Sequence, residues 1–348
     1  MKTIYKITAL CAAFTLGISP VLACTSFRLI ANDGTVMIAR SMEFAEPMNS
    51  SIIATSRGHD FHISAPNGAA GLSWKSQYNY IFLDGLSLGV PIDGMNEAGL
   101  SFEALLFPDE AEYQTVPAGQ EKQALSYLQF GDWVLGNFKT VDEVRSALGS
   151  IYVFSEQLPQ LQNMIFPVHY SVFDSTGKGI VIEYVKGELH IHEHMGVMTN
   201  SPTYDWHVTN LRNYLQLSPT NPKPVIADGI TYTATGQGSG MIGLPGDISP
   251  PSRFVKMAVM LNTVIKPKDA TEALNLSQHM INNVDIPKGF VRVVGDTNTA
   301  TLESTQWVVF KDLTHKKLYY RTYDDLSIRT VDMATIDFSK PNAAIPLR

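Results

Sequence analysis

Cysteine is scarce in this sequence: Cys11 and Cys24 are the only two among 348 residues. A framework of disulfides is thereby excluded as the source of stability. Long apolar runs are missing too. The most apolar window, Ile7–Ile18, is shorter than the roughly 20 residues a membrane-spanning helix needs, so no transmembrane segment is expected. Positive charge is in deficit, with 26 Lys and Arg against 33 Asp and Glu for a net charge of −7. Without a basic stripe, nucleic acid is not an expected partner. The glycine-rich stretch "TGQGSGMIGLPG" lacks the lysine of a phosphate loop. Repeats, low-complexity tracts and linkers are likewise missing, so nothing divides the chain after its first 23 residues.

Those first residues read as an address. Lys2 and Lys6 precede the apolar window, and Ser19-Pro20-Val21-Leu22-Ala23 ends in small residues. This is the pattern of a secretory signal peptide spanning 1–23 and cleaved after Ala23, which predicts a periplasmic or secreted protein. Cys11 would leave with it, and Cys24 would become residue one. The stretch "VLAC" also resembles a lipobox, which would make the chain a lipid-anchored, non-catalytic binding protein. Against that, Leu22 is large for its position, and "TSFRLIANDGT" runs directly into strand pattern without a tether. A free amino-terminal cysteine has another use. Its α-amine, with a pKa of about 7.7–8.0, is a general base beside its own thiol. One residue then supplies nucleophile and base, the logic of the amino-terminal threonine hydrolases. A free thiol sits near pKa 8.5, so nearby positive charge is required; Arg40 is the candidate.

"TSFRLIANDGTVMIARSMEF" predicts two strands turning at Asp33-Gly34. With those two residues central, Cys24 faces Glu43 and Phe27 faces Arg40. Strand pattern continues in "SSIIATSRG" and in "GLSLGVPIDGMNEAGLSFEALLF", with turns expected at Asp93-Gly94 and Ala98-Gly99. It resumes in "HYSVFDSTGKGIVIEYVKGELHIHEH" and in the closing "TQWVVFKDLTHKKLYYRTYDD". Helical periodicity covers Lys122–Leu135, Val141–Leu148 with Thr140 as N-cap, Thr203–Leu215, Ser252–Ile265 and Ala270–Asn283. Strands and helices in blocks, without regular alternation, argue against Rossmann and barrel folds. They predict an α+β chain of two antiparallel sheets covered by helices on both outer faces.

"CTSFRLIANDGTVMIARSMEF", "DGMNEAGLSFEALLFP", "VMTNSPTYDWHVTNLRNYL" and "GMIGLPGDISPPSRFVKMA" together resemble the choloylglycine hydrolase and penicillin V acylase family. These are amino-terminal nucleophile (Ntn) hydrolases that cut linear amides. The resemblance implies an αββα sandwich, a single domain over 24–348, no cofactor and, commonly, a homotetramer. It implies that Cys24 is the nucleophile, Arg40 the arginine beside the thiol, Asn200 part of the oxyanion hole and Arg253 a second active-site arginine. Glu43 stands where the family usually has aspartate, and keeps the charge expected to contact the α-amine. Leu106 aligns with an asparagine of the bile-salt hydrolases, so one side-chain donor near the oxyanion is lost. Substrates implied are conjugated bile acids, penicillin V-type amides and N-acyl homoserine lactones. Met42, Phe44, Phe61, Leu106 and Phe107 are the candidate lining of an apolar acyl pocket. Asn96 is read as a turn residue. His190, His192 and His194 share a strand face at spacing two, but without a fourth ligand they read as a solvated strand, and no metal is expected.

Overall fold

The computed structural model describes residues 23–294, 300–340 and 344–347. Two antiparallel sheets stack face to face. In the first, the order is Val197–Met198, Cys24–Ile30, Val36–Phe44, Ala300–Asp312, Lys317–Thr322 and Arg329–Asp332, with Val291–Val294 also paired to Ala300–Asp312. The second runs Glu188–Glu193, Gly179–Val185, Val168–Phe173, Ser101–Leu106, Pro91–Asn96, Tyr80–Asp84, Ser51–Thr55 and Ala344–Pro346. Helices α1 (Phe130–Asn137) and α2 (Val141–Leu148) cover the outer face of the second sheet. After α3 (Tyr204–Asn210), α4 (Pro250–Thr263) and α5 (Ala270–Ile281) cover that of the first. The result is the four-layer sandwich expected from the block order of the sequence.

Two apolar clusters hold the layers. One runs from Phe254 and Met257 of α4 through Phe27, Met37 and Val309 to the inward residues Ile81, Met95 and Leu105 of the second sheet. The other joins Trp133, Val134 and Val144 of the outer helices to Phe102, Tyr170 and Ile182. Val36–Phe44 lies between these layers with neighbours on both edges, and all nine of its residues are buried. Its polar residues, Arg40 and Glu43 included, are therefore held inside the protein. α2 starts as predicted: Thr140 Oγ1 accepts from Glu143 N at 3.2 Å and Glu143 Oε2 accepts from Thr140 N, a reciprocal cap.

Three sequence expectations need correction. The first hairpin is one residue out of register: Cys24 pairs with Met42, and Ser26 with Arg40. The loop holds three residues, Asn32-Asp33-Gly34, with Gly34 in the left-handed region at φ +90°. That is the three-residue hairpin with a terminal glycine bulge, not the two-residue turn assumed above. Second, the helix expected from Lys122 begins only at Phe130. Ala124–Ser126 is a short strand, parallel to Tyr152–Phe154 and buried throughout. A short apolar run buried on every side has no periodicity by which to tell helix from strand. Third, Asp93-Gly94 is not a turn but the middle of Pro91–Asn96. Gly94 is there because the adjacent strand and α1 both close in: a Cβ would sit 2.6 Å from Ile81 O on Tyr80–Asp84 and 2.9 Å from Leu135 Cδ1 of α1.

Candidate active site

Cys24 opens the first strand and is fully buried. The strand order explains its surroundings. Val197–Met198 pairs with the same strand on its other edge, at Ser26 and Phe27, so the residues that follow it arrive beside Cys24. Asn200 is one of them. Its Oδ1 accepts from Cys24 N at 2.7 Å and from Arg253 Nη2 at 2.8 Å. Its Nδ2 donates to Leu106 O at 2.8 Å. An amide Nδ2 carries two hydrogens, so a second donation is available. The backbone carbonyl of Asn200 is tied down by His207 Nε2 at 2.8 Å, and the His207 ring is stacked on Phe254.

Arg253 enters from the first turn of α4, which begins at Pro250. Asp247 ties that turn, accepting from Ser252 Oγ at 2.7 Å and from Ser249 N at 2.9 Å. Those serine contacts hold its carboxyl down at about 2. The guanidinium of Arg253 spends its donors on Cys24 O, Thr25 Oγ1 at 2.6 Å, Asn200 Oδ1 and Ile248 O at 2.8 Å. It thus clamps the backbone of the cysteine to the asparagine.

Arg40 approaches from the opposite face of the sheet. Its Nη2 donates to Ala104 O at 2.6 Å and points at Cys24 Sγ at 3.8 Å, while Nη1 serves Ile92 O and Asp93 Oδ2. Burial pushes the Cys24 thiol up; Arg40 pulls against it, Glu43 adds to it, and Arg253 helps Arg40. Glu43 is on the helix-facing side of its strand. Thr305 Oγ1 donates to its Oε1 at 3.0 Å and its Oε2 has no hydrogen-bond partner. Burial raises its carboxyl to about 8 against the pull of Arg253. The contact expected between Glu43 and the nitrogen of Cys24 is instead made by Asn200. The reason is the one-residue register correction, which sets Met42, not Glu43, opposite the cysteine.

Beside the thiol lies an apolar cavity of about 80 Å³, lined among others by Met42, Phe44, Leu106, Ile92 and Phe166. Three of the five lining candidates are thus in place, with Met42 Sδ 3.8 Å from Cys24 Sγ. The other two are elsewhere. Phe61 stacks on Trp74 at 4.7 Å, in the separate two-stranded ribbon Asp60–Ser64 and Ala70–Lys75. Phe107 stacks on His169 at 4.3 Å and is fully buried. Leu106 contributes twice, its side chain to the cavity and its carbonyl to Asn200. Asn96 is a turn residue as read: its Oδ1 accepts from Ala98 N and Leu100 N, each at 3.0 Å.

Of the three histidines, His192 lies 3.4 Å from Glu183 Oε2, and His194 is buried against Ser171 Oγ at 3.2 Å. Among the described residues, no group of three or more His, Cys, Asp or Glu is placed to hold a metal ion, and no helix is long and apolar enough to cross a membrane. The sequence reading missed Asp93, Glu103 and Lys311, a buried set of charges behind Arg40. One signal was visible: Lys311 and Glu103 each interrupt an apolar strand, in "WVVFKDL" and "LSFEALLF".

Known proteins share the family pattern and the fold of this chain. Residues 24–345 match the family model of the linear amide C–N hydrolases, choloylglycine hydrolase family. A bile salt hydrolase/transferase of Clostridium perfringens is 32% identical over 318 residues, covering 89% of this chain and 92% of its own. The crystal structure of a variant conjugated bile acid hydrolase from Clostridium perfringens superposes with a TM-score of 0.81 at 30% identity, over 93% of this chain and 97% of that one. Penicillin V acylase from Agrobacterium tumefaciens gives a TM-score of 0.72 at 26% identity, over 91% and 88%.

Proposed function

The chain belongs to the choloylglycine hydrolase family of linear amide C–N hydrolases, and on that premise we propose that it is an exported enzyme whose nucleophile is Cys24. The observation that carries this reading is the setting of one residue. Cys24 lines an apolar cavity, with its nitrogen on Asn200 Oδ1 and its sulfur facing Arg40.

In this reading residues 1–23 are a signal peptide, and 24–348 form one Ntn-hydrolase domain in the periplasm or outside the cell. Removal of Ala23 turns the Cys24 amide into an α-amine, which Asn200 Oδ1 orients. The amine takes the thiol proton as sulfur attacks the substrate carbonyl, and Arg40 stabilises the thiolate. The second hydrogen of Asn200 Nδ2 supports the oxyanion in place of the donor lost at Leu106. Collapse passes the proton to the leaving nitrogen, frees the amine and leaves a thioester. Water, deprotonated by the α-amine, then releases the acid.

The cavity narrows the acyl group. Its walls are apolar, so the acyl group it takes is itself proposed to be apolar. Conjugated bile acids, penicillin V-type amides and N-acyl homoserine lactones all carry such a group, and the substrate panel below chooses among them. The homotetramer implied by the family resemblance belongs to the same proposal, with sedimentation velocity as its test.

The deciding experiment joins an intact mass and amino-terminal sequence with a substrate panel read by amine release. An unmodified Cys24 terminus and no turnover in Cys24→Ala are expected. A diacylglyceryl group on the sulfur, or full turnover in Cys24→Ala, overturns the proposal.

A further inference from the structure

Four charged side chains with no exposed surface lie between the sheets, and the hydrolytic steps above leave three of them without a task. Lys311 Nζ is 2.7 Å from Asp93 Oδ1 and 2.9 Å from Glu103 Oε1. Glu103 Oε2 accepts from Ser26 Oγ at 2.6 Å, and Asp93 Oδ2 lies 3.3 Å from Arg40 Nη1. The chain thus runs from Arg40 through Asp93 and Lys311 to Glu103 and ends on the strand that carries Cys24. Two positive and two negative groups balance. Stability alone does not account for it, since replacing buried ion pairs with apolar residues of similar volume is often neutral or stabilising.

The geometry around Asp93 suggests what the chain does. An arginine facing a free carboxylate takes both its oxygens in a two-pronged pair. Here Oδ1 is already held by Lys311, and Arg40 is left with one long contact to Oδ2. The other prong of the guanidinium, Nη2, stays on Ala104 O and aims at the sulfur. We infer that Lys311 is a positioning residue: by occupying one oxygen of Asp93 it denies Arg40 a two-pronged carboxylate and keeps Nη2 directed at Cys24 Sγ. Glu103 anchors Lys311 and competes with Asp93 for it. The other charges acting on the thiol are Glu43 from its own sheet and Arg253 from α4, with Glu303 acting on Arg253; these are unchanged in the variants below. The consequence for turnover rests on Cys24 being the nucleophile, whereas the state of the thiol reports the geometry directly.

The test is the pH profile of Cys24 alkylation by iodoacetamide in the processed protein. In Lys311→Met, Asp93 is left with Arg40 alone. The profile's midpoint rises by about one unit, a tenfold loss of reactive thiolate below it, and kcat falls about tenfold while KM stays within about twofold. In Glu103→Gln, which keeps shape and a hydrogen bond to Ser26, Lys311 is held by Asp93 alone and the midpoint falls. Opposite shifts exclude a purely packing role, which lowers stability and leaves both midpoints in place. Lys311→Met/Glu103→Gln removes one charge of each sign, so a through-space charge effect leaves its midpoint in place, whereas loss of the positioning contact raises it; the same variant serves should Lys311→Met fail to fold. Midpoints within about 0.3 unit of the parent, or both single variants moving the same way, overturn the inference. Full turnover by Cys24→Ala overturns the nucleophile reading instead and leaves the alkylation result standing.

Discussion

Replacing Asn200 by alanine separates what this side chain does for the fold from what it does for the reaction. Asn200 is 1% exposed and makes three hydrogen bonds with its side chain, from Cys24 N, from Arg253 Nη2 and to Leu106 O. At about 0.5–1.5 kcal/mol each, their loss lowers stability by about 1.5–4.5 kcal/mol, and a urea melt reads it. The chemical effect is of a different kind. If Nδ2 also donates to the oxyanion, its removal costs about 2.7–4 kcal/mol of transition-state stabilisation. That corresponds to a fall of about 10²–10³-fold in kcat, with a smaller change in KM. Initial rates of amine release should be taken at 25 °C, well inside the folded baseline of the variant. A folded Asn200→Ala protein whose kcat lies within about threefold of the parent refutes the oxyanion role, whatever its stability.

Two further outcomes follow from the same geometry. In chain that retains Ala23, Glu43 titrates near 8 against an ordinary 4.5, raised by burial. A raised carboxyl contributes stability that is complete below about 4.5 and is lost as pH climbs through 8. Urea midpoints should fall from pH 5 to pH 8, and Glu43→Gln should flatten the decline; an unchanged slope in the variant counts against the burial argument. Thr140→Ala removes the reciprocal cap of α2 and is expected to cost about 1 kcal/mol with kcat unchanged. A loss of activity there would tie α2 to the site, which its position on the outer face of the second sheet does not.

Some local signals are legible in the sequence, and contacts distant in sequence are not. The α2 cap was legible because Thr140 and Glu143 meet within one turn. The layer order was legible because strands and helices come in blocks. The first hairpin slipped by one residue because Asn32-Asp33-Gly34 fits two turn lengths, and only the ladder chooses between them. That slip moved Glu43 off Cys24 and hid the part Asn200 plays at the cysteine nitrogen. Phe61 is near site residues in sequence but stacks on Trp74 in a separate ribbon, and Phe107, although next to Leu106, lays its ring on His169 and does not line the cavity. Lys311 lies 218 residues from Asp93 and 208 from Glu103. No periodicity connects such positions, and only the stacking of the sheets makes them neighbours.

The seat of Ala23 bears on the proposed removal of residues 1–23. Ala23 is 5% exposed, its carbonyl accepts from Glu43 N at 3.0 Å, and its own N–H donates to Glu303 Oε1 at 2.6 Å. A protease must draw several residues on either side of its target into its own cleft, and here the target bond is already sewn into a sheet. If residues 1–23 are the signal peptide proposed above, an outside enzyme has to sever them while the chain is still unpaired. If the sheet closes first, the bond is within reach only of the groups that surround it. On the proposed reading, maturation is thus a race between cutting and folding, and a chain that folds first would be well packed yet keep an amide, not a free amine, at Cys24.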